Sequence, residues 1–180
     1  MYNMTKEVLI SISGLQMAVN DMESNDDEPI EVLSAGTYYF KNGKHYVFFE
    51  EVAEGLQGVT KTQIKWKDKE WLEVSKKGLS NVHMIFEKNK KNRCYYNTPF
   101  GQLNLGIFMT NMMVDEKEEC IEIRAEYALD VNFEPLSECT IRIRICPRDA
   151  KDFSLNERVA WKVAKNLCLI LLTLVAEQAL

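Results

Sequence analysis

The chain is poor in the residues that usually carry chemistry. Two histidines, His45 and His83, are too few for an imidazole-rich metal centre. Five cysteines, Cys94, Cys120, Cys139, Cys146 and Cys168, form no Cys-x-x-Cys and no other metal-type spacing, so no metal and no cofactor is expected. Their odd number, with no charged stretch followed by an apolar one in residues 1–14, points to reduced thiols and a cytoplasmic location. There is no glycine-rich phosphate loop and no nucleophile elbow. Positive charge is the minority, 22 Lys and Arg against 27 Asp and Glu for a net charge of −5 and a pI near 5.2, which argues against a general nucleic-acid binder. The local cluster Lys88, Lys90, Lys91 and Arg93 reads as a solvated hairpin tip. No apolar run reaches the ~20 residues of a membrane-spanning helix: the longest, residues 167–176, is cut short by Lys162, Lys165 and Asn166.

What is present is a strand pattern. With 46% hydrophobic and 10% aromatic residues among 180, the chain can build one domain with a real core. Residues 6–17 alternate Val8, Ile10 and Ile12 with Leu9, Ser11 and Ser13. An acidic loop follows at 20–28. It has oxygen ligands in number but lacks the glycine and final Glu of a calcium loop, so it reads as a solvated connection. A second strand, 30–40, reaches Asn42-Gly43, a type I′ hairpin signal because both residues tolerate positive φ. Strands are then expected at 45–52, 60–66, 71–74, 82–86, 93–96 and 103–110. The longest alternation runs from Ile121 through Ile123, Ala125, Tyr127, Leu129 and Val131 to Phe133, with Glu134-Pro135 ending it. Thr140 to Ile145 repeats the pattern. No helical period interrupts these runs before residue 150. Successive short strands joined by hairpin-sized links describe an all-β antiparallel meander, and closing it into a barrel removes the exposed edges.

Several pieces of this pattern resemble the YwiB-like family of bacterial proteins. They are Ser13-Gly14-Leu15-Gln16, Gly36-Thr37-Tyr38-Tyr39, residues 46–50, Gly58-Val59-Thr60-Lys61, Lys76-Lys77-Gly78, and Tyr96-Asn97-Thr98-Pro99-Phe100-Gly101 followed by Gly106 to Thr110. In the last piece Pro99 fixes its own φ and Gly101 supplies the positive φ of a tight reversal. The resemblance covers about residues 5–146. It implies a calycin- or lipocalin-like barrel of 8–10 strands, in a family of unknown function. Lys76 stands where the family pattern suggests Arg, a weaker two-pronged grip on a carboxylate or phosphate. The chain divides into a barrel, 1–146, and a C-terminal appendage, 147–180, that the resemblance does not reach. Ser154-Leu155-Asn156-Glu157 has capping-box spacing for a helix there, and its apolar run must be buried against the barrel, a second copy or a membrane surface.

Candidate functional residues lie within the family-like pieces. Glu50, Lys61, Lys76, Tyr96 and Thr110 are polar groups that a small barrel could turn inward. One reading is an internal polar network that fixes strand register. Another is a pocket for a small amphipathic or anionic ligand, lined by Tyr38, Tyr46, Phe48 and Phe100 with the basic residues orienting the head group. A third makes Glu50 a base and Lys61 its electrostatic stabiliser. Strand parity places Tyr46, Phe48 and Glu50 on one face, so the pocket requires that face to point inward. The alternative is a non-enzymatic interaction module with a solid barrel and a self-associating C-terminal helix.

Overall fold

The computed structural model describes residues 5–16, 30–52, 58–79, 81–98, 101–117 and 119–149. The acidic loop, Pro99 and Phe100, and the tail with its expected helix and Cys168 lie outside them. Ten strands follow one another in the described residues: β1 Lys6–Gln16, β2 Ile30–Lys41, β3 Lys44–Val52, β4 Val59–Lys67, β5 Trp71–Lys77, β6 Val82–Glu87, β7 Lys91–Thr98, β8 Gly101–Glu116, β9 Ile121–Val131 and β10 Glu134–Pro147. They form one antiparallel sheet in the order β6-β5-β4-β3-β2-β1-β10-β9-β8-β7. Neighbours in sequence are neighbours in space, and β1 pairs β10 from Val8↔Pro147 to Gln16↔Cys139. The strands at the two ends of the order, β6 and β7, lie side by side. Asn81 and Asn97 exchange both backbone hydrogen bonds at 2.9 Å, and Glu87 bridges Lys90. The result is a nearly closed barrel with a seam between β6 and β7. This is the meander expected from the sequence.

The turns explain the register. Asn42 and Gly43 take φ of 52° and 72°, the type I′ geometry whose twist matches that of the flanking strands. They pair Lys41 with Lys44 and, counting back, Tyr39 with Tyr46 and Tyr38 with Val47. At the β9–β10 turn, Asn132 and Phe133 take φ of 51° and 72°. The long alternation therefore ends at Val131, and Phe133 is a turn residue, 69% exposed. Glu134-Pro135 opens β10 rather than separating two strands.

Among the described residues the inward side chains form a contiguous apolar core. Ile10, Val47, Ile64, Trp66, Leu72, Phe86, Ile107, Met109, Ile123 and Ile143 are all below 2% or at 2% exposure and form one cluster. Phe86 meets Tyr127 edge-on at 5.0 Å, and burial raises the Tyr127 hydroxyl pKa, with Cys139 adding to it. A second cluster, with Val82, Tyr96, Leu103, Leu105 and Val131, fills the end nearest Asn81 and Asn97. On the outside, Lys91 Nζ and Arg93 Nη2 reach the buried Asp130 Oδ2 at 2.6 and 3.3 Å. They cross β8 at Gly106, where a Cβ would lie 3.0 Å from Asp130 Oδ2 and 3.2 Å from Arg93 Nη1. Of the basic cluster read as a hairpin tip, Lys90 stays there on Glu87, while Lys91 and Arg93 lace β7 to β9.

The expectation of reduced thiols is corrected. Cys120 and Cys146 are joined in a disulfide between the start of β9 and the end of β10, on neighbouring strands that sequence spacing does not reveal. Cys94 and Cys139 are free, and burial raises the pKa of both. The bridge closes a loop of sequence separation 26. Urea denaturation of Cys120→Ala/Cys146→Ala beside the oxidised protein is expected to show a loss of about 3.5 kcal/mol, the loop-closure value for a crosslink of this span.

Candidate functional site

The inside and outside of the β3 wall are decided by β4. That strand alternates Thr60, Thr62, Ile64 and Trp66, all buried, with Lys61, Gln63, Lys65 and Lys67. Its lysines must face water, because an unpaired buried ammonium is far costlier than a buried hydroxyl. Register then carries the choice across: Tyr46 sits opposite Lys65, Phe48 opposite Gln63 and Glu50 opposite Lys61. Val47 and Phe49, 0% and 4% exposed, take the interior, and Phe48 is 36% exposed. The face of Tyr46, Phe48 and Glu50 points outward, so the inward orientation required of an interior pocket is not met. Glu50 and Lys61 do come together, at 4.0 Å, but on the outer surface with side chains 62% and 77% exposed.

On that outer face the aromatic residues form an ordered row. Tyr39 stacks on Tyr46 with ring centroids 4.8 Å apart and planes at 13°, and on Phe48 at 5.7 Å and 16°. Lys44 Nζ lies 5.0 Å over the Trp71 ring, a cation–π contact. Lys65 donates to Glu73 at 2.7 Å, and His83 Nε2 lies 3.2 Å from the same oxygen. Beside Phe48 a shallow depression of about 370 Å³ is lined by Thr37, Phe48, Glu50 and Lys61 over Gly36 and Phe49. Ala35, the small residue at its edge, leaves it open.

The remaining candidate residues are dispersed. Lys76 faces inward near the Tyr96 end, where its Nζ bonds both carboxylate oxygens of Glu51 at 2.9 and 3.1 Å. Thr62 Oγ1 donates to the same carboxylate at 2.7 Å. The side chains of Lys76 and Glu51 are only 12% and 19% exposed. Three strands are thereby tied in register. Tyr96 is a core residue, 6% exposed. Thr110 is the extra residue of a β-bulge between Met109 and Asn111, and its hydroxyl donates to the Glu126 carbonyl at 3.1 Å. Tyr38 is turned inward at the opposite end of β3, where its hydroxyl is 3.0 Å from His45 Nδ1. His45 stacks on Trp66 at 4.6 Å and 10°, with Glu116 Oε1 3.8 Å from its Nε2. Trp66 Nε1 is buried with no hydrogen-bond partner. Phe100 lies outside the described residues.

Sequence reasoning missed Tyr39, Glu51, Thr62 and His45. A signal existed for Tyr39, since the Asn42-Gly43 turn fixes it opposite Tyr46. None existed for choosing Glu51 over Glu50, because both faces of β3 end in a carboxylate. Among the described residues no group of three or more His, Cys, Asp or Glu is placed to hold a metal ion, and no helix is long and apolar enough to cross a membrane.

An antiparallel barrel of ten strands, with an apolar core and a row of aromatic rings on one outer wall, is the class of protein that fold and site define. The chain belongs to the family described as "Domain of unknown function (DUF1934)", whose model matches residues 10–143. It is similar to the solved structure of the ywiB protein from Bacillus subtilis, with a TM-score of 0.59 and 22% identity over 77% of this chain and 91% of that one. At that identity the likeness is one of fold. No curated protein matches the chain.

Two outcomes test the polar groups. Lys76→Met strands the enclosed Glu51 carboxylate and is expected to cost about 2 kcal/mol in urea denaturation, whereas Lys61→Met, on the open surface, changes stability by under about 0.5 kcal/mol. Burial lowers the His45 pKa from 6.5, opposed by the Glu116 and Asp68 carboxylates. The unfolded chain therefore binds the His45 proton first on acidification, and stability falls as pH drops through 6.5 toward the native value. A melting-temperature profile from about pH 7.5 to 5.5 is expected to slope less steeply in His45→Gln than in the parent protein.

Proposed function

We propose that this protein is a non-enzymatic binding module. Its barrel is a solid scaffold, and its working surface is the outer wall of β2–β5. The observation that carries this reading is the filling of the interior by Trp66, Phe86, Leu72, Met109 and the branched aliphatic residues around them. A ligand-carrying barrel needs that space open. The interior polar groups support the same conclusion. Lys76 and Thr62 are both consumed by Glu51, and Tyr38 by His45, so each already has a protein partner. The residues left to meet a partner are outside: Tyr46, Phe48, Glu50 and Lys61, joined by Tyr39. Phe48, Glu50 and Lys61 line one depression, and their mixture of aromatic and charged groups suits recognition of another molecule better than proton transfer. Glu50 is exposed on the open surface beside Lys61, without the enclosing cleft that would hold a substrate proton within its reach.

A thermal-shift screen of fatty acids, mononucleotides and small anions tests the reading. The expected result is no rise in melting temperature with any of them. A rise of several degrees that disappears in Ile64→Trp, which overfills the barrel axis, would return the function to an interior cavity.

A further inference from the structure

We infer that the partner of the outer β2–β5 wall is single-stranded nucleic acid, an assignment that rests on the module reading above. The first support is charge. The chain is acidic overall at −5, yet the outward positions of residues 33–41 and of β3–β5 hold Lys41, Lys44, Lys61, Lys65, Lys67 and Lys77 against Glu50 and Glu73. Net charge averages over the whole molecule, while a polyanion responds to the potential of the face it approaches.

The second support is the aromatic row. Tyr39, Tyr46 and Phe48 are nearly parallel, and Trp71 stands on the same side of the sheet beneath Lys44. Register places this row among the lysines. Tyr46 is opposite Lys65 on β4, Lys41 and Lys44 close the hairpin beyond it, and Lys61 lies beyond Phe48. Alternating cationic and aromatic groups on an open sheet serve the two repeating parts of a single strand, phosphates and unpaired bases. The depression beside Phe48, about 370 Å³, is of a size for one planar group laid against that ring.

Other polyanions fit less well. An acidic peptide offers no regular series of planar faces. A duplex keeps its bases stacked and its grooves require a projecting element, which this flat wall lacks. An anionic membrane is met by apolar side chains projecting from loop tips, whereas these rings stack on one another in mid-sheet.

Fluorescence anisotropy of the full chain with labelled dT and U oligomers of about 20 nucleotides tests the assignment. Binding is expected at 50 mM salt and is expected to weaken on the order of 50-fold at 200 mM, as for about four neutralised phosphates. A duplex of the same length is expected to bind at least about tenfold more weakly than the single strand. Phe48→Ala is expected to weaken binding about tenfold through lost stacking. Lys67→Gln, an exposed change that leaves the fold intact, is expected to flatten the salt dependence by one phosphate. The assignment is overturned if no anisotropy change occurs at 50 mM salt, if duplex binds equally well, or if neither variant alters binding. It is also overturned if phosphatidylserine vesicles sediment the protein while oligonucleotides do not compete. Those failures leave the solid-module reading standing, because that reading falls only on stabilisation by an interior ligand.

Discussion

Steric filling of one shared interior is the constraint from which the other features follow. A strand directs every second residue inward, and ten strands around one axis leave room for little besides Ile, Val, Leu, Met and a few aromatic rings. Once β4 commits Ile64 and Trp66 to the axis, its lysines are committed to water. Cross-strand register then fixes the faces of β3 and β2. Where a strand is too long to hold one phase against its neighbours, an extra residue resets it. Thr110 does this in β8, so that the inward series changes from Ile107 and Met109 to Met112 and Val114. A similar shift between Pro135 and Ser137 adjusts β10 to β9.

Much of this frame was legible in the residues. Period-two alternation and turn signals together located all ten strands, and Asn42-Gly43 fixed the register of β2 on β3. Strand ends were less legible. β8 continues to Glu116, but its alternation breaks at the bulge, so a fixed period read from Leu103 stops at Thr110. The candidate site was half legible. Tyr46, Phe48, Glu50 and Lys61 do share a surface, because parity and register are local properties. Which side of the wall that surface lies on is a global property. In β3 the series Tyr46-Phe48-Glu50 and Val47-Phe49-Glu51 are equally amphipathic, and only the lysines of the next strand separate them. The Cys120–Cys146 pair was invisible for the same reason, since it joins strands rather than neighbours in a motif.

The polar groups of the wall divide by side. Inward ones, the Trp66 indole N–H excepted, are satisfied by other parts of the protein, Glu51 by Lys76 and Thr62, His45 by Tyr38. They hold strands in register at opposite ends of the barrel, a role that rewards closure and exclusion of water. On the outer side Lys65 and Glu73 make a close pair at 2.7 Å, while Glu50 and Lys61, 4.0 Å apart, make a loose one whose strength is low in water and whose partners can be exchanged. In the module reading proposed above, structural and recognition duties are separated by the thickness of a single sheet, and substitution on the outer wall would alter what is recognised without disturbing what is folded.

The pairing of β1 with β10 has a consequence in time. Val8 is among the first residues of the domain to leave the ribosome, and Pro147, its partner, is among the last. At about 5–20 residues per second, β1 waits on the order of ten seconds with one side of its backbone unpaired. Throughout that interval the nascent first half of the sheet offers an open edge to every other chain being made nearby. Successful expression of this domain is therefore set by what shields that edge until β10 arrives.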